Sequence, residues 1–508
     1  MNKELVLILD FGGSLNQLIA RRVRELSVYC EMVPCHITLA EIKSKNPQAI
    51  IFSGGPGGKA GDRPVCDPGV FTLGIPILAD GYGMELIAGH FDPAVKKGEV
   101  QNGWGKITVT GEDLLFTGLA GEIEVNISGA APLKDVPRGF QALALNGEKQ
   151  IAAIGHLSQK IYGVQFSPEA RGSAAGQQVL ENFLFKIASL QGDWDLDSFI
   201  EEMVTDIKNQ VGDQKILCAL SGGVDSSVAA TLVHRAVGEQ LVSVFVDTGL
   251  MRKGEPEEVV RVFRDQLKMN LVFVEAKERF LSKLAGVNDP EQKRKVIGTE
   301  FIRIFEEEAQ RMGDIKFLVQ GTIYPDIIES GTKTSGAVKS HHNVGGLPED
   351  MEFTLVEPLR LLFKDEVRLI GEKLGIAKEL VWRQPFPGPG LGVRVLEEVT
   401  AEKLDILREA DYIFREEIRN AGLEREIWQS FVVLPPVKTV GVKNGARTYA
   451  YPVIIRAVNS EDAMTAEVVK LPLEFLEKVA LRIINEVAGV NRVAYDITPK
   501  PPGTVEWE

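Results

Sequence analysis

The sequence predicts an α/β multidomain chain: two open, mainly parallel α/β sheet domains followed by a C-terminal α+β domain. Three observations carry this. Strand-like and helix-like runs alternate over residues 1 to about 190, and the same alternation restarts at 215. The segment QPFPGPGLG at 384–392 is too rich in proline and glycine for helix or strand to continue, so it marks a hinge or boundary. The expected domains are 1–190, 198–390 and 391–508.

In the first domain LVLILDF reads as a strand, QLIARRVREL as a helix, and VYCEMVPC, AIIFSGG and GIPILA as further strands. Between 100 and 170 the short runs KITVT, EIEVNIS, FQALAL and IYGVQF suggest added antiparallel strands. GDWDLDSFIEEMVTDIKNQVG is a connection followed by an amphipathic helix. KILCAL (strand), SGGVDSS (loop), VAATLVHRAV (helix) and QLVSVFVD (strand) open the second domain, with FLVQG and the helical FKDEVRLIGEKLG later. After the boundary, FVVLPPVKTVGV and YPVIIRAV are strand-like, between helical segments. No internal repeat or low-complexity tract is present.

With 508 residues, 44% hydrophobic, the chain is long enough for three or four domains with proper cores. A net charge of −14 argues against a general nucleic-acid binder or anionic-membrane binder. The four cysteines, Cys30, Cys35, Cys66 and Cys218, form no CxxC pair and suit a reducing, cytoplasmic setting. The N-terminal apolar run is too short for a signal peptide, and no stretch approaches the roughly 20 apolar residues of a membrane span.

ALSGGVDSS at 219–227 is the strongest local signal. Two glycines let the backbone approach a ligand, Ser221, Ser226 and Ser227 offer hydroxyls, and the following helix aims its N-terminal amides at the loop. It is an anion cradle without the lysine of a G-x-x-x-x-G-K-[ST] loop. A Gly-rich turn capping a helix is the bland alternative. Spacing alone stops at an adenylating enzyme. SGGVDS resembles the pyrophosphate loop of the N-type ATP pyrophosphatases. VFVDTGLMR (244–252), QKRKVIG (292–298), QGTIYPDIIES (320–330), KSHHNVGGLPED (339–350), EPLRLLFKDEVR (357–368), PFPGPGLGVRV (385–395) and KPPGTVEWE (500–508) are similar to segments of the GMP synthases, and the similarity runs over essentially the whole chain.

That resemblance implies adenylation of XMP at its C2 oxygen by ATP, then amination to GMP with release of AMP and pyrophosphate. Ser221, Gly222, Gly223, Val224, Asp225, Ser226, Ser227, Val246 and Asp247 are implied to hold ATP. Asp225 and Ser226 are the implied catalytic positions, and Asp225 also an implied Mg²⁺ ligand. Arg294, Gln429, Lys500 and Glu506 are implied to bind XMP; Lys500 and Glu506 lie in KPPGTVEWE. His341 and His342 are expected to help close over the nucleotide. The resemblance also makes the C-terminal domain a dimerisation module, giving a homodimer. Thr248 departs from the family's VDNG.

The family's N-terminal domain is a class I glutamine amidotransferase, with Cys in G-I-C-Y-G-M-Q and His and Glu in V-Q-F-H-P-E. Here the motifs read A-D-G-Y-G-M-E at 79–85 and V-Q-F-S-P-E at 164–169, so Gly81 replaces the thiol, Ser167 replaces the base, and only Glu169 remains. Ser128 to Ala131 reads S-G-A-A against the family's S-H-G-D, and DFGGSL (10–15) against DFGSQY, while SGGPGG (53–58) keeps its glycines. Without thiolate and imidazole, neither thioester formation nor proton shuttling is available. Cys66 and His156 lie at neither motif position. The expectation is therefore a silent glutaminase and a synthase fed by free ammonia. Two alternatives stay open: a related ligase with another amine or sulfur nucleophile, and a non-catalytic nucleotide-binding scaffold.

Overall fold

The computed structural model describes residues 4–12, 16–55, 63–313, 315–331, 353–443, 445–460 and 465–508. It divides into two compact units, Met1–Leu196 with Pro325–Gly336, and Asp197–Tyr324 with Ala337–Glu508. No helix among the described residues is long and apolar enough to cross a membrane.

Unit 1 holds a nine-stranded sheet. Its strands are β1 (Leu5–Asp10), β2 (Tyr29–Pro34), β3 (Ala49–Ser53), β4 (Ile77–Asp80), β5 (Gln101–Val109), β6 (Glu122–Ala130), β7 (Gln141–Asn146), β8 (Ile151–His156) and β9 (Ile161–Val164). They lie in the order β2-β1-β3-β4-β9-β8-β7-β5-β6. The first five pair in parallel and the rest antiparallel, so the sheet is half of each kind. The sequence explains the split. AIIFS and ILAD are buried at every position, as strands covered on both faces must be, whereas β5 is mostly exposed.

Unit 2 carries an all-parallel five-stranded sheet of β10 (Ile216–Ala219), β11 (Leu241–Asp247), β12 (Asn270–Glu275), β13 (Phe317–Val319) and β14 (Thr354–Val356), ordered β12-β11-β10-β13-β14. A second sheet is built on the long β17 (Ala446–Asn459). Around it lie β15 (Gln429–Val433), β16 (Thr439–Lys443), β18 (Glu467–Val468) and β19 (Val490–Tyr495), the last parallel to it. The helices Ala401–Asn420 and Leu473–Glu486 cover this sheet. One apolar cluster runs through both halves of the unit. Leu217 and Val244 of the parallel sheet, Leu404 and Phe414 of the first helix, and Ile455 and Val479 all belong to it.

The Pro- and Gly-rich segment, expected as a hinge or boundary, is fastened at its C-terminal end. The Leu391 amide donates to the Leu250 carbonyl at 2.7 Å. Gly390, at φ +62°, sits so close that a Cβ there would lie 2.3 Å from the same oxygen. Only glycine permits that approach.

Candidate active site

The loop after β10 runs from strand through glycines into helix, as the sequence suggests. Gly222 takes φ +74°, and Gly223 opens the helix Val224–Val237 with no side chain capping its amides. The Gly223 amide donates to Ser221 Oγ at 3.2 Å, Ser221 and Ser226 hydroxyls lie 2.9 Å apart, and Ser226 donates to the Gly223 carbonyl at 3.1 Å. The hydroxyls thus hold the loop open around the helix end. Asp225 is bound on both oxygens by Lys364 Nζ, at 2.6 Å each. Gly321 abuts this turn, where a Cβ would approach the Ser226 nitrogen to 3.3 Å. Lys364 stands in the quoted FKDEVR run but carries no phosphate-binding signature of its own, and sequence reasoning did not single it out.

The other expected ATP positions are more enclosed. The side chains of Val224, Ser227 and Val246 are buried, so they present no side chain to a ligand. The buried Asp247 accepts the Gly249 amide at 2.9 Å and pairs with Lys277 at 3.2 Å. Thr248, the departure from VDNG, accepts the Leu250 amide at 3.1 Å and so caps the turn itself. Among the described residues no group of three or more His, Cys, Asp or Glu could hold a metal. A single half-exposed carboxylate, Asp225, nevertheless suits Mg²⁺ arriving on a triphosphate, because that ion usually takes one or two carboxylates plus phosphates and water.

Of the four expected XMP positions, Arg294 and Gln429 meet the last residues of the chain, among them Glu506. Gln429, buried on β15, donates to Glu506 Oε1 at 2.8 Å. Arg294 donates to the Glu508 carbonyl. Lys500 ties its backbone to Ala466, 2.8 and 3.0 Å in the two directions. Beside Arg294, the fully buried Lys293 donates to the Val395 carbonyl at 2.8 Å and to the Glu508 carboxylate. Burial lowers its pKa while Glu508 opposes the change. Arg394, also unremarked in the sequence, grips Glu506 with two hydrogen bonds. His341 and His342, residues 13–15 of DFGGSL and residues 56–58 of SGGPGG lie outside the described residues.

In unit 1 the elbow is intact and its apex is bare. Gly81, at φ 44° and ψ −108°, joins β4 to the helix Tyr82–Phe91. Its amide donates to the Val164 carbonyl at 2.8 Å. Packing explains why the turn persists. A Cβ on Gly55 would lie 2.2 Å from that of Tyr82, one on Gly83 2.9 Å from that of Ala79, and one on Gly163 2.7 Å from Met84 Cγ. The glycines let the helix lie directly on the sheet, with or without a nucleophile.

Neither stand-in nucleophile nor stand-in base fits. Burial pushes the Cys66 thiol up to about 11, the wrong direction for a reactive thiolate. His156 lies edge-on to Phe140 with ring centroids 5.1 Å apart.

A buried acid pair occupies the site instead. Burial, and then the charge of Glu169, raise the Asp80 pKa well above the carboxylate range against the hydrogen bonds of Ser53 and Gly54. Burial likewise moves Glu169 from an ordinary 4.5 to about 7. Among the described residues Asp80 Oδ2 and Glu169 Oε2 have no hydrogen-bond partner. A carboxyl whose pKa is raised on folding contributes its full stability below its unfolded pKa and loses it as pH rises through the folded value. The window for Glu169 therefore runs from about 4.5 to about 7. Unit 1 is therefore expected to be less stable at pH 8.5 than at pH 5.5. Calorimetric melting across this range checks it, and the Asp80→Asn/Glu169→Gln double variant should flatten the profile.

The two units define a class: an adenylating ligase joined in one chain to an amidotransferase fold. Family models agree segment by segment. Residues 7–187 match glutamine amidotransferase class-I, 196–296 match NAD synthase, and 416–507 match the GMP synthase C terminal domain. The chain belongs to the GMP synthase family. It is 63% identical over 510 residues to a GMP synthase (glutamine-hydrolyzing) of Syntrophomonas wolfei, covering 100% of both chains. A protein of the same name from Symbiobacterium thermophilum is 57% identical, over 100% of this chain and 99% of that one. One from Clostridium botulinum is 56% identical over 100% of both.

Proposed function

We propose that the chain converts XMP to GMP with ATP and takes its nitrogen from free ammonia. The C2 oxygen of XMP attacks the α-phosphorus of ATP and pyrophosphate departs. Ammonia then adds at C2, the C2–O bond breaks, AMP leaves with the oxygen, and the added nitrogen sheds a proton. Oxide is a very poor leaving group and AMP a good one, which is why adenylation comes first. The observation that carries this reading is the pyrophosphate cradle, with its uncapped helix amides and Lys364 on Asp225. Positioning and charge neutralisation are most of the catalysis in such transfers. Mg²⁺ bound with the triphosphate would supply further neutralisation, and Asp225 would be the carboxylate that holds it. Arg294, Gln429, Lys500 and Glu506 take XMP.

Free ammonia is assigned because Gly81 and Ser167 stand where hydrolysis needs a thiol and an imidazole. The relatives carry glutamine hydrolysis in their names, and this chain departs from them at that half-reaction. Residues 1–190, 198–390 and 391–508 then divide as silent amidotransferase fold, adenylation domain and dimerisation domain of a cytoplasmic homodimer. Purified protein with ATP, Mg²⁺, XMP and ammonium should release AMP, pyrophosphate and GMP in equal amounts. Pyrophosphate release that ignores XMP would sink the substrate assignment.

A further inference from the structure

We propose that Arg394 is the positioning residue for Glu506, fixing the carboxylate that reads the purine. The inference rests on Glu506 belonging to the XMP site. Arg394 is 0% exposed. Its guanidinium lies over the Phe431 ring at 4.2 Å and the Phe386 ring at 5.1 Å. Between those faces the fork has little freedom, and it points at Glu506. Nε donates to Oε2 at 3.0 Å and Nη2 to Oε1 at 2.8 Å. This is the two-bond geometry that a planar guanidinium provides and an ammonium does not. The remaining nitrogen, Nη1, lies 3.9 Å from the buried Asp411. Asp411 in turn accepts the Val432 amide, on the strand that carries Phe431.

A different arginine holds the tail itself. Arg456 donates to the carbonyls of Thr498, Thr504 and Val505 at 2.8 to 3.0 Å and pairs with Asp496 at 2.6 Å. The work is divided: Arg456 secures the tail backbone, and Arg394 orients one side chain on it. With Gln429 also on Oε1, Glu506 keeps an acceptor direction on Oε2. A xanthine ring presents N–H groups, and an oriented, acceptor-only carboxylate is the group that reads them.

The test is calorimetric XMP binding and steady-state kinetics on the full-length protein. Arg394→Gln should weaken XMP binding and raise its KM roughly 10- to 100-fold, for loss of a two-bond charged contact. KM for ATP should stay within about twofold. In a Glu506→Gln background, already weak for XMP, Arg394→Gln should add less than about threefold, because both changes remove one device. Glu506→Asp keeps the charge but withdraws it from the fork, and should weaken XMP alone even if Arg394→Gln fails to fold. Equal losses for XMP and ATP, or full additivity with Glu506→Gln, would make Arg394 a packing residue and overturn the proposal. Wild type that binds no XMP overturns the substrate reading, and this inference with it.

Discussion

Given glutamine as the sole nitrogen source, the purified protein is expected to make no GMP, while ammonium supports turnover in the same buffer. Amide hydrolysis at an elbow needs a nucleophile and a base that moves its proton. Loss of such a pair removes roughly 10⁶-fold of rate. The chain has Gly81 and Ser167 in those places, a half-buried Cys66 thiol held protonated, and His156 among aromatic rings. Glutamate release, measured directly, should match the uncatalysed control. Restoring Gly81→Cys alone should change nothing. Even Gly81→Cys/Ser167→His should stay feeble, because burial opposes ionisation of the new thiol and a buried acid, Asp80, lies beside it in place of the family's isoleucine. Adding Asp80→Ile, the residue of the family's motif, should give the first measurable glutaminase. Stoichiometric glutamate release by the wild type would end the free-ammonia reading.

The second large effect is expected at Asp225. Asp225→Asn keeps the shape and removes the charge that Lys364 now satisfies twice over. XMP-dependent pyrophosphate release should fall roughly 10²- to 10³-fold, the scale of losing one preorganised electrostatic contact to a transferring phosphoryl group. Lys364→Met should fall roughly 10- to 100-fold on the same grounds. It leaves Asp225 without its partner but lets the loop keep its serine and glycine contacts. Unchanged melting together with unchanged rates would place both residues outside the reaction.

Much of the fold was legible because apolar runs such as AIIFS and VFVD leave few alternatives to a buried parallel strand. The short β14 and the charged helix Pro290–Arg311 carried weaker patterns and emerge only from packing. The phosphate loop was legible because its chemistry is local: strand, glycines, hydroxyls and helix start are consecutive. Thr248 is local too, and its cap explains why the departure leaves the turn standing. Arg394 and Glu506 are 112 residues apart and meet through an aromatic sandwich that no spacing announces. Asp80 and Glu169 likewise meet only because β4 lies beside β9. The tie at 384–392 was not legible for a related reason. Proline and glycine announce that regular structure stops, and say nothing of what the stretch is tied to.

The shared core of unit 2 has a consequence for how such a chain can be cut and recombined. Val244, Phe414, Ile455 and Val479 come from segments up to about 240 residues apart in sequence and bury one another. A break near residue 390 would open that interior on both sides and leave two fragments prone to aggregate. Residues 391–508 are therefore not an interchangeable cartridge. Grafting experiments that exchange adenylation chemistry between ligases would have to carry 197–508 across whole.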